Sequence, residues 1–551
     1  MKRRIATWSL SAAICLLPGL MSGQEPLPAK LTWGPPYKQA NNTMATQIIG
    51  IVPEGFYQLR QKVSQQANAR PKVWVAFYDR EMKLERMEEL PLKYKNKQRA
   101  FERVVMLDGQ LHLLTSFHNS AKKRNYLFRQ QLSRKTLVPS NRLDMICENE
   151  ARNTGDVGKF GFHISPDSTR LLVFNELPYE KKQPERFGFH VFDRDFSLLW
   201  ERNIVLPYPD NQFTVEDYQV DNQGNVYLLG VLYSDEAKWR RRGSPTYRYV
   251  VLSYLDNGRE AREVRIEGGD NFITDLTFRP ARSGGLVCAG FYAAPGTYQI
   301  KGTTYFRVDP AAGSVSDRQY QPFDLSFLTR HLPEREQEKI RSATADGRDA
   351  GKAVALYDYS LDELILRSDG GAVLVAEQFF IEQDFRRDYP FYGFYPFAYD
   401  PFFYSRNYGR TQTDYYYHYN DILVVNIRPD GSMEWAARVP KHQETRNDAG
   451  FHSSYALSVV RDKLFFVYND NPRNYSGDRR TGKWYNYGGG EGLVVLSQVN
   501  KDGQVTTWPL ASHQDVGVLT RPKMSRQIGR RQLALFGERG NSYRLGSLQF
   551  E

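Results

Sequence analysis

Three acidic residues, Asp217, Asp275 and Glu363, occupy comparable offsets in three consecutive strand-like segments of the 551-residue chain. Two carboxyl groups facing each other across a cleft can serve as general acid and base, or as acid and nucleophile, at a glycosidic bond. Acids on interior strands also accept backbone hydrogen bonds, which would make the same residues structural. A second concentration of chemistry is aromatic: 18 of the 41 residues from Phe379 to Tyr419 are Phe or Tyr, among them Tyr392, Tyr395, Tyr404 and Tyr416, with His418 beside them. Flat apolar faces with polar tips suit sugar stacking and protein contacts, or a hairpin packing its rings on itself. Third is Trp239-Arg240-Arg241-Arg242, a loop tip or an anion site with one stacking ring. His/Cys metal spacing, a serine nucleophile elbow, a phosphate-binding glycine loop and a calcium loop are all missing from the sequence. No metal or other cofactor is expected, and binding is favoured over catalysis.

The segments that must position these residues repeat. An alternating strand, a tight Asp/Gly/Asn turn and another strand recur along nearly the whole chain, often with a Trp in the last strand. Clear copies run from Phe189 to Trp200, from Ile422 through Asp430-Gly431 to Trp435, and from Leu493 through Asp502-Gly503 to Trp508. Each is preceded by a strand such as Gly224 to Leu229 or Gly371 to Val375, and several by a further one such as Phe213 to Val220 or Phe272 to Phe278. Four antiparallel strands make a unit that cannot bury both faces alone, so units must stack around an axis until a ring closes. The last unit stops at Glu551 without its outermost strand, and Leu31-Thr32-Trp33-Gly34-Pro35 matches the outer-strand pattern. The N-terminus is therefore expected to complete the ring.

This set of repeats resembles the β-propeller superfamily over residues 30 to 551. Ser165-Pro166-Asp167 resembles turns of TolB-like and WD-type propellers, and the Asp-Gly...Trp copies resemble quinoprotein-type repeats. The chain is also similar to exported propeller proteins of Gram-negative bacteria. The expected fold is all-β, one propeller of about eight four-stranded blades with seven the alternative, spanning 24–551. Two insertions interrupt it: a helical one at 323–350, whose helix begins near Pro333, and the aromatic-rich one at 379–420. Strands labelled A to D from the axis outward place B-to-C connections on one face, where the long insertions fall, and the short C-to-D turns on the other.

Residues 1–23 read as a signal peptide: Lys2, Arg3 and Arg4, then an apolar run from Ile5 to Leu20, then Ser22-Gly23. Removing them takes three charges from a net +11 and leaves a basic chain, which favours anionic partners. Nucleic acid is not among them, because no recognition motif is present. Cys147 and Cys288 lie in different units and read as free thiols. These observations imply an exported binding or scaffold protein, periplasmic or on the cell surface, that recognises an envelope protein or an anionic glycan through its long-loop face. Glycan cleavage by Asp217, Asp275 or Glu363 is the alternative.

Overall fold

A computed structural model describes residues 26–551 apart from 40–41, 63–70, 152–157, 178–183, 210–211, 234–239, 242–243, 246, 283, 331, 333, 347–355, 385–413 and 477–483. The chain forms a β-propeller of eight blades. Blades 1 to 7 comprise residues 43–89, 100–150, 160–209, 213–266, 272–322, 359–439 and 455–512, each a sheet whose four main strands pair in sequence order. Blade 8 takes Arg526–Gly529, Gln532–Arg539 and Ser542–Phe550 from the C-terminus and Ala29–Trp33 from the N-terminus. The register of the closing strand runs from Ala29↔Phe550 to Trp33↔Gly546, so the two ends share one sheet as expected.

The first strands of successive blades pack on one another and lie innermost. Second strands are sandwiched between neighbouring blades and largely buried; all residues of Leu286–Ala293 are buried, and Gly55–Lys62 is buried up to Gln61 although it carries Gln58 and Arg60. Fourth strands face water, and in Leu84–Glu89 every residue after Leu84 is exposed. Each of the eight hydrophobic clusters bridges two adjacent blades, and none is confined to a single sheet. The cluster joining Phe56 and Tyr78 of blade 1 to Phe536 and Tyr543 of blade 8 completes the circle.

The recurrent tryptophan has a definite task. Trp200, on the fourth strand of blade 3, lies over Gly258 in the outer turn of blade 4 and donates from Nε1 to the Gly224 carbonyl at 2.9 Å. Trp435 of blade 6 covers Gly503 of blade 7 in the same way, and its Nε1 donates to the Lys501 carbonyl at 2.8 Å. A Cβ on Gly258 would stand 2.6 Å from the Trp200 ring, and Gly258 has φ +72°. The Asp-Gly...Trp pattern therefore records contacts between blades as well as the turn within one.

Some boundaries differ from expectation. The stretch 379–420 begins and ends as strand, because Ala372–Asp384 and Asp414–Ile427 extend past the edge of blade 6. The C-to-D connection of blade 2, residues 133–143, is long where short turns were expected. The helical insertion holds two helices, Leu325–Thr329 and Glu334–Ala345, and a short third helix, His513–Val516, lies between blades 7 and 8. Cys147 and Cys288 are free and buried. Among the described residues no helix is long and apolar enough to cross a membrane.

Candidate functional site

Five inner strands carry an extra residue at a similar level of the ring, where two residues oppose one on the second strand. The inserted residues are Thr46, Glu102, Glu216, Thr274 and Asp362, in blades 1, 2, 4, 5 and 6. Such a bulge bends the strand and re-aims its side chains, and bulges recur beside functional sites. Here it sets three acids, Glu102, Glu216 and Asp362, on alternate blades.

All three are held toward the neutral acid. Burial pushes Glu102 up to about 7 against the hydrogen bond that Ser116 Oγ donates to it at 2.5 Å. Burial alone pushes Glu216 up to about 7. Asp362 is raised well above the usual carboxylate range, first by the protein packed around it and then by the charge of Glu377, although one side of it is open to water. The Tyr455 hydroxyl of blade 7 donates to Asp362 Oδ2 at 2.6 Å.

Asp217, Asp275 and Glu363 each follow an inserted residue, opposite Leu229, Phe291 and Val375. Asp217 accepts from Gln219 Nε2 at 2.7 Å and lies 3.6 Å from Arg279 of blade 5; burial nevertheless raises it. Burial also lifts Asp275, to about 7, while it accepts from its neighbour's Leu276 N at 2.8 Å and from the backbone of Leu361 in blade 6. Glu363, although open to water on one side, is raised by the protein packed around it and opposed by Arg279 and Arg526. Arg279 thus acts on two of the three acids, and Asp275 joins two blades. Among the described residues no cluster of His, Cys, Asp and Glu is arranged to hold a metal ion.

The inserted acids escape a sequence reading because alternation fails at a bulge. The adjacent acids Glu216-Asp217 and Asp362-Glu363 were the available signal: two charges in succession cannot both follow an alternating strand.

An acid raised in the folded state is protonated there and ionised in the unfolded chain. Its stabilising contribution is complete below the unfolded carboxyl value and disappears as pH rises through the folded one. Thermal unfolding followed from about pH 4 to about pH 8 should therefore show a smaller loss of Tm in Glu102→Gln than in the unaltered chain. Parallel profiles would refute the assignment of Glu102 as a neutral acid.

The long-loop face is built on the hairpin of blade 6. From Phe379↔Tyr419 to Asp384↔Asp414 its two strands continue beyond the last rung of the inner strand, Tyr359↔Gln378. Gln443–Arg446 pairs along this overhang as a third strand. His418 lies within the strand rather than in a loop, stacked on Phe380 at 4.2 Å and flanked by Glu382 at 3.6 Å and Glu444 at 3.8 Å. Tyr416 lies under the Arg446 guanidinium at 5.9 Å. Tyr392, Tyr395, Tyr404 and Trp239 lie outside the described residues, and of Arg240 and Arg241 only the backbone is described, paired with Ser244–Pro245. The candidate residues whose side chains are described therefore divide between the inner strands of blades 4 to 6 and the hairpin of blade 6.

Lys523 stands near both groups. Its Nζ donates to the Tyr419 hydroxyl at 2.6 Å and lies 3.9 Å from that ring's centroid, and burial pushes it down to about 8.

No family model and no curated protein matches the chain. Solved structures similar to it include the WD40 domain of SCAP from fission yeast, at 8% identity over 96% of this chain and 97% of that one, with a TM-score of 0.38. A mutant of Synechocystis apocarotenoid oxygenase is similar at 8% identity, 96% and 97% coverage and a TM-score of 0.32. Bacillus subtilis levansucrase, in complex with oligosaccharides, is similar at 9% identity over 51% of this chain and 84% of that one, with a TM-score of 0.24. None of these likenesses bears on activity.

Proposed function

We propose that this chain is an exported, non-catalytic binding propeller of the cell envelope that holds an envelope protein or an anionic glycan on its long-loop face. The carrying observation is the braced overhang of blade 6, whose strands Ala372–Asp384 and Asp414–Ile427 flank an aromatic-rich segment. A three-stranded base is an unusual provision for a connection, since tight turns such as the two residues joining Arg539 and Ser542 of blade 8 suffice to reverse the chain. The partners of Asp217 and Asp275, an arginine, a glutamine and backbone amides, favour structural duty over hydrolysis. The basic charge supports an anionic partner, and the apolar start of the chain supports export to the periplasm or the cell surface.

Deleting Arg386 to Thr413 tests this reading. Thermal unfolding should change little, because the deleted residues lie beyond the last described rung of the hairpin. Recovery of the partner from solubilised envelope, and retention on immobilised acidic polysaccharide, should both be lost. Undiminished recovery by a folded deletion variant would overturn the assignment.

A further inference from the structure

On the same face, at the junction of blades 4 and 5, four aromatic rings form a continuous strip. Tyr233 ends one strand and Tyr247 begins the next as its cross-strand partner; Phe272 opens the inner strand of blade 5, and Tyr298 lies in the connection after that blade's second strand, Leu286–Ala293. Their centroids are separated by 5.9, 4.9 and 6.1 Å in that order, each pair edge to face. All four rings are half-buried rather than enclosed in the core, so part of each stays in contact with water.

Beneath the strip lie the bulges of the two blades. The Tyr247 hydroxyl donates to the carbonyl of Thr274, the inserted residue of blade 5, at 3.0 Å. Tyr233 is hydrogen-bonded to Thr214. Glu216, the inserted residue of blade 4, is close enough to Tyr233, Tyr247 and Asp275 to influence the ionisation of each. It has no hydrogen-bond partner among the described residues. Glu216 is half-buried, so its carboxyl remains within reach of a ligand hydroxyl.

We propose that this strip and Glu216 form a neutral-saccharide binding site, with the rings stacking on sugar faces and Glu216 hydrogen-bonding to ring hydroxyls. The rings contact one another in sequence and each is partly open to water, so they offer a row of apolar surfaces to successive sugars, not the enclosing set of rings that suits a quaternary ammonium ion. Glu216 and Asp275, both pushed up to about 7, are partly uncharged near neutrality, which suits a hydroxyl that must both give and accept a proton bond and suits a cation poorly. The site is distinct from the hairpin of blade 6 and stands whether or not that hairpin binds a partner.

Titration calorimetry of the full chain with cellohexaose, maltohexaose and tetramethylammonium tests it. At least one of the oligosaccharides should bind saturably and tetramethylammonium should not. Tyr298→Ala and Phe272→Leu should each weaken the sugar about tenfold with unchanged thermal unfolding. Glu216→Gln, which keeps a donor and an acceptor, should retain affinity that Glu216→Ala loses. Tyr298 belongs to a connection rather than a strand, so its variant remains informative if Phe272→Leu fails to fold. The variant lacking Arg386 to Thr413 should bind sugar as the full chain does. No saturable sugar binding, binding indifferent to both ring substitutions, preference for tetramethylammonium, or loss of sugar binding on deleting the hairpin segment would each overturn the proposal.

Discussion

A chain lacking residues 26–38 should lose its cooperative unfolding transition and aggregate. Ala29–Trp33 is the fourth strand of blade 8, and Tyr37–Lys38 adds a second pairing to the same neighbour. The Gly34 amide donates to Leu545 at 2.8 Å, and the Glu551 amide to Pro28 at 3.0 Å, so the two ends grip each other along the whole strand. Removing it leaves the edge of Ser542–Phe550 open, an unprotected template for other chains. It also strips Leu31 and Trp33 from the cluster containing Trp508 and Leu548, at about 1 to 3 kcal/mol for each large apolar side chain. In a ring the loss is not local, because blade 8 would hold blade 7 without holding its own edge. A synthetic peptide of residues 26–38 added in trans should restore the transition. Gly546→Val is a milder version: a Cβ at that position would stand 3.1 Å from the Trp33 ring, forcing the ring away from its seat. Differential scanning calorimetry showing the same Tm with and without the strand would refute this account of closure.

Lys441→Met should cost about 3 to 5 kcal/mol in denaturant unfolding, the penalty for leaving one member of a buried ion pair alone. Lys441 Nζ lies 2.7 Å from Glu377 Oε1, both side chains being almost wholly enclosed. The ammonium also donates to the Tyr419 carbonyl at 2.6 Å and to Gln443 Oε1 at 3.2 Å, while Ser454 Oγ donates to Glu377 Oε2 at 2.7 Å. Gln443 in turn donates to the Asn469 carbonyl at 2.7 Å, so the network ties blade 6, the connection after it and blade 7. With Lys441 gone, Glu377 would keep the Ser454 hydroxyl and the more distant charge of Lys523 but lose the cation in contact with it. The double variant Lys441→Met with Glu377→Leu should recover most of the loss, since apolar replacements remove the buried charge itself. Equal stability of the single and double variants would show that the pair is not a coupled unit. The network also supports the third strand, Gln443–Arg446, and so the base of the overhang to which the binding role is assigned.

Much of the ring was legible along the chain. Alternation located Phe213–Val220 to the residue, and the absent outer strand at Glu551 pointed to Trp33 as its replacement. The aromatic insertion was visible as composition, yet its base was read as loop, because Tyr and Phe in succession do not alternate in polarity and hide a strand buried against a third one. Asp217, Asp275 and Glu363 were found by offset. Their inserted neighbours were not, because the offset that aligned the three strands silently absorbed the extra residue in each.

What the amino-acid order determined by itself is the local code: strand, turn, strand, repeated until the two ends share a sheet. Period and turn chemistry act between residues a few positions apart, so they survive in one dimension. The tertiary structure alone decided which acids are the inserted residues of the inner strands, that Glu216 comes within electrostatic reach of Tyr233 and Tyr247, and that Lys441 pairs with Glu377. Those outcomes depend on the register between strands and on the meeting of separate blades, where one inserted residue redirects a side chain and residues far apart in the chain are brought within hydrogen-bonding distance.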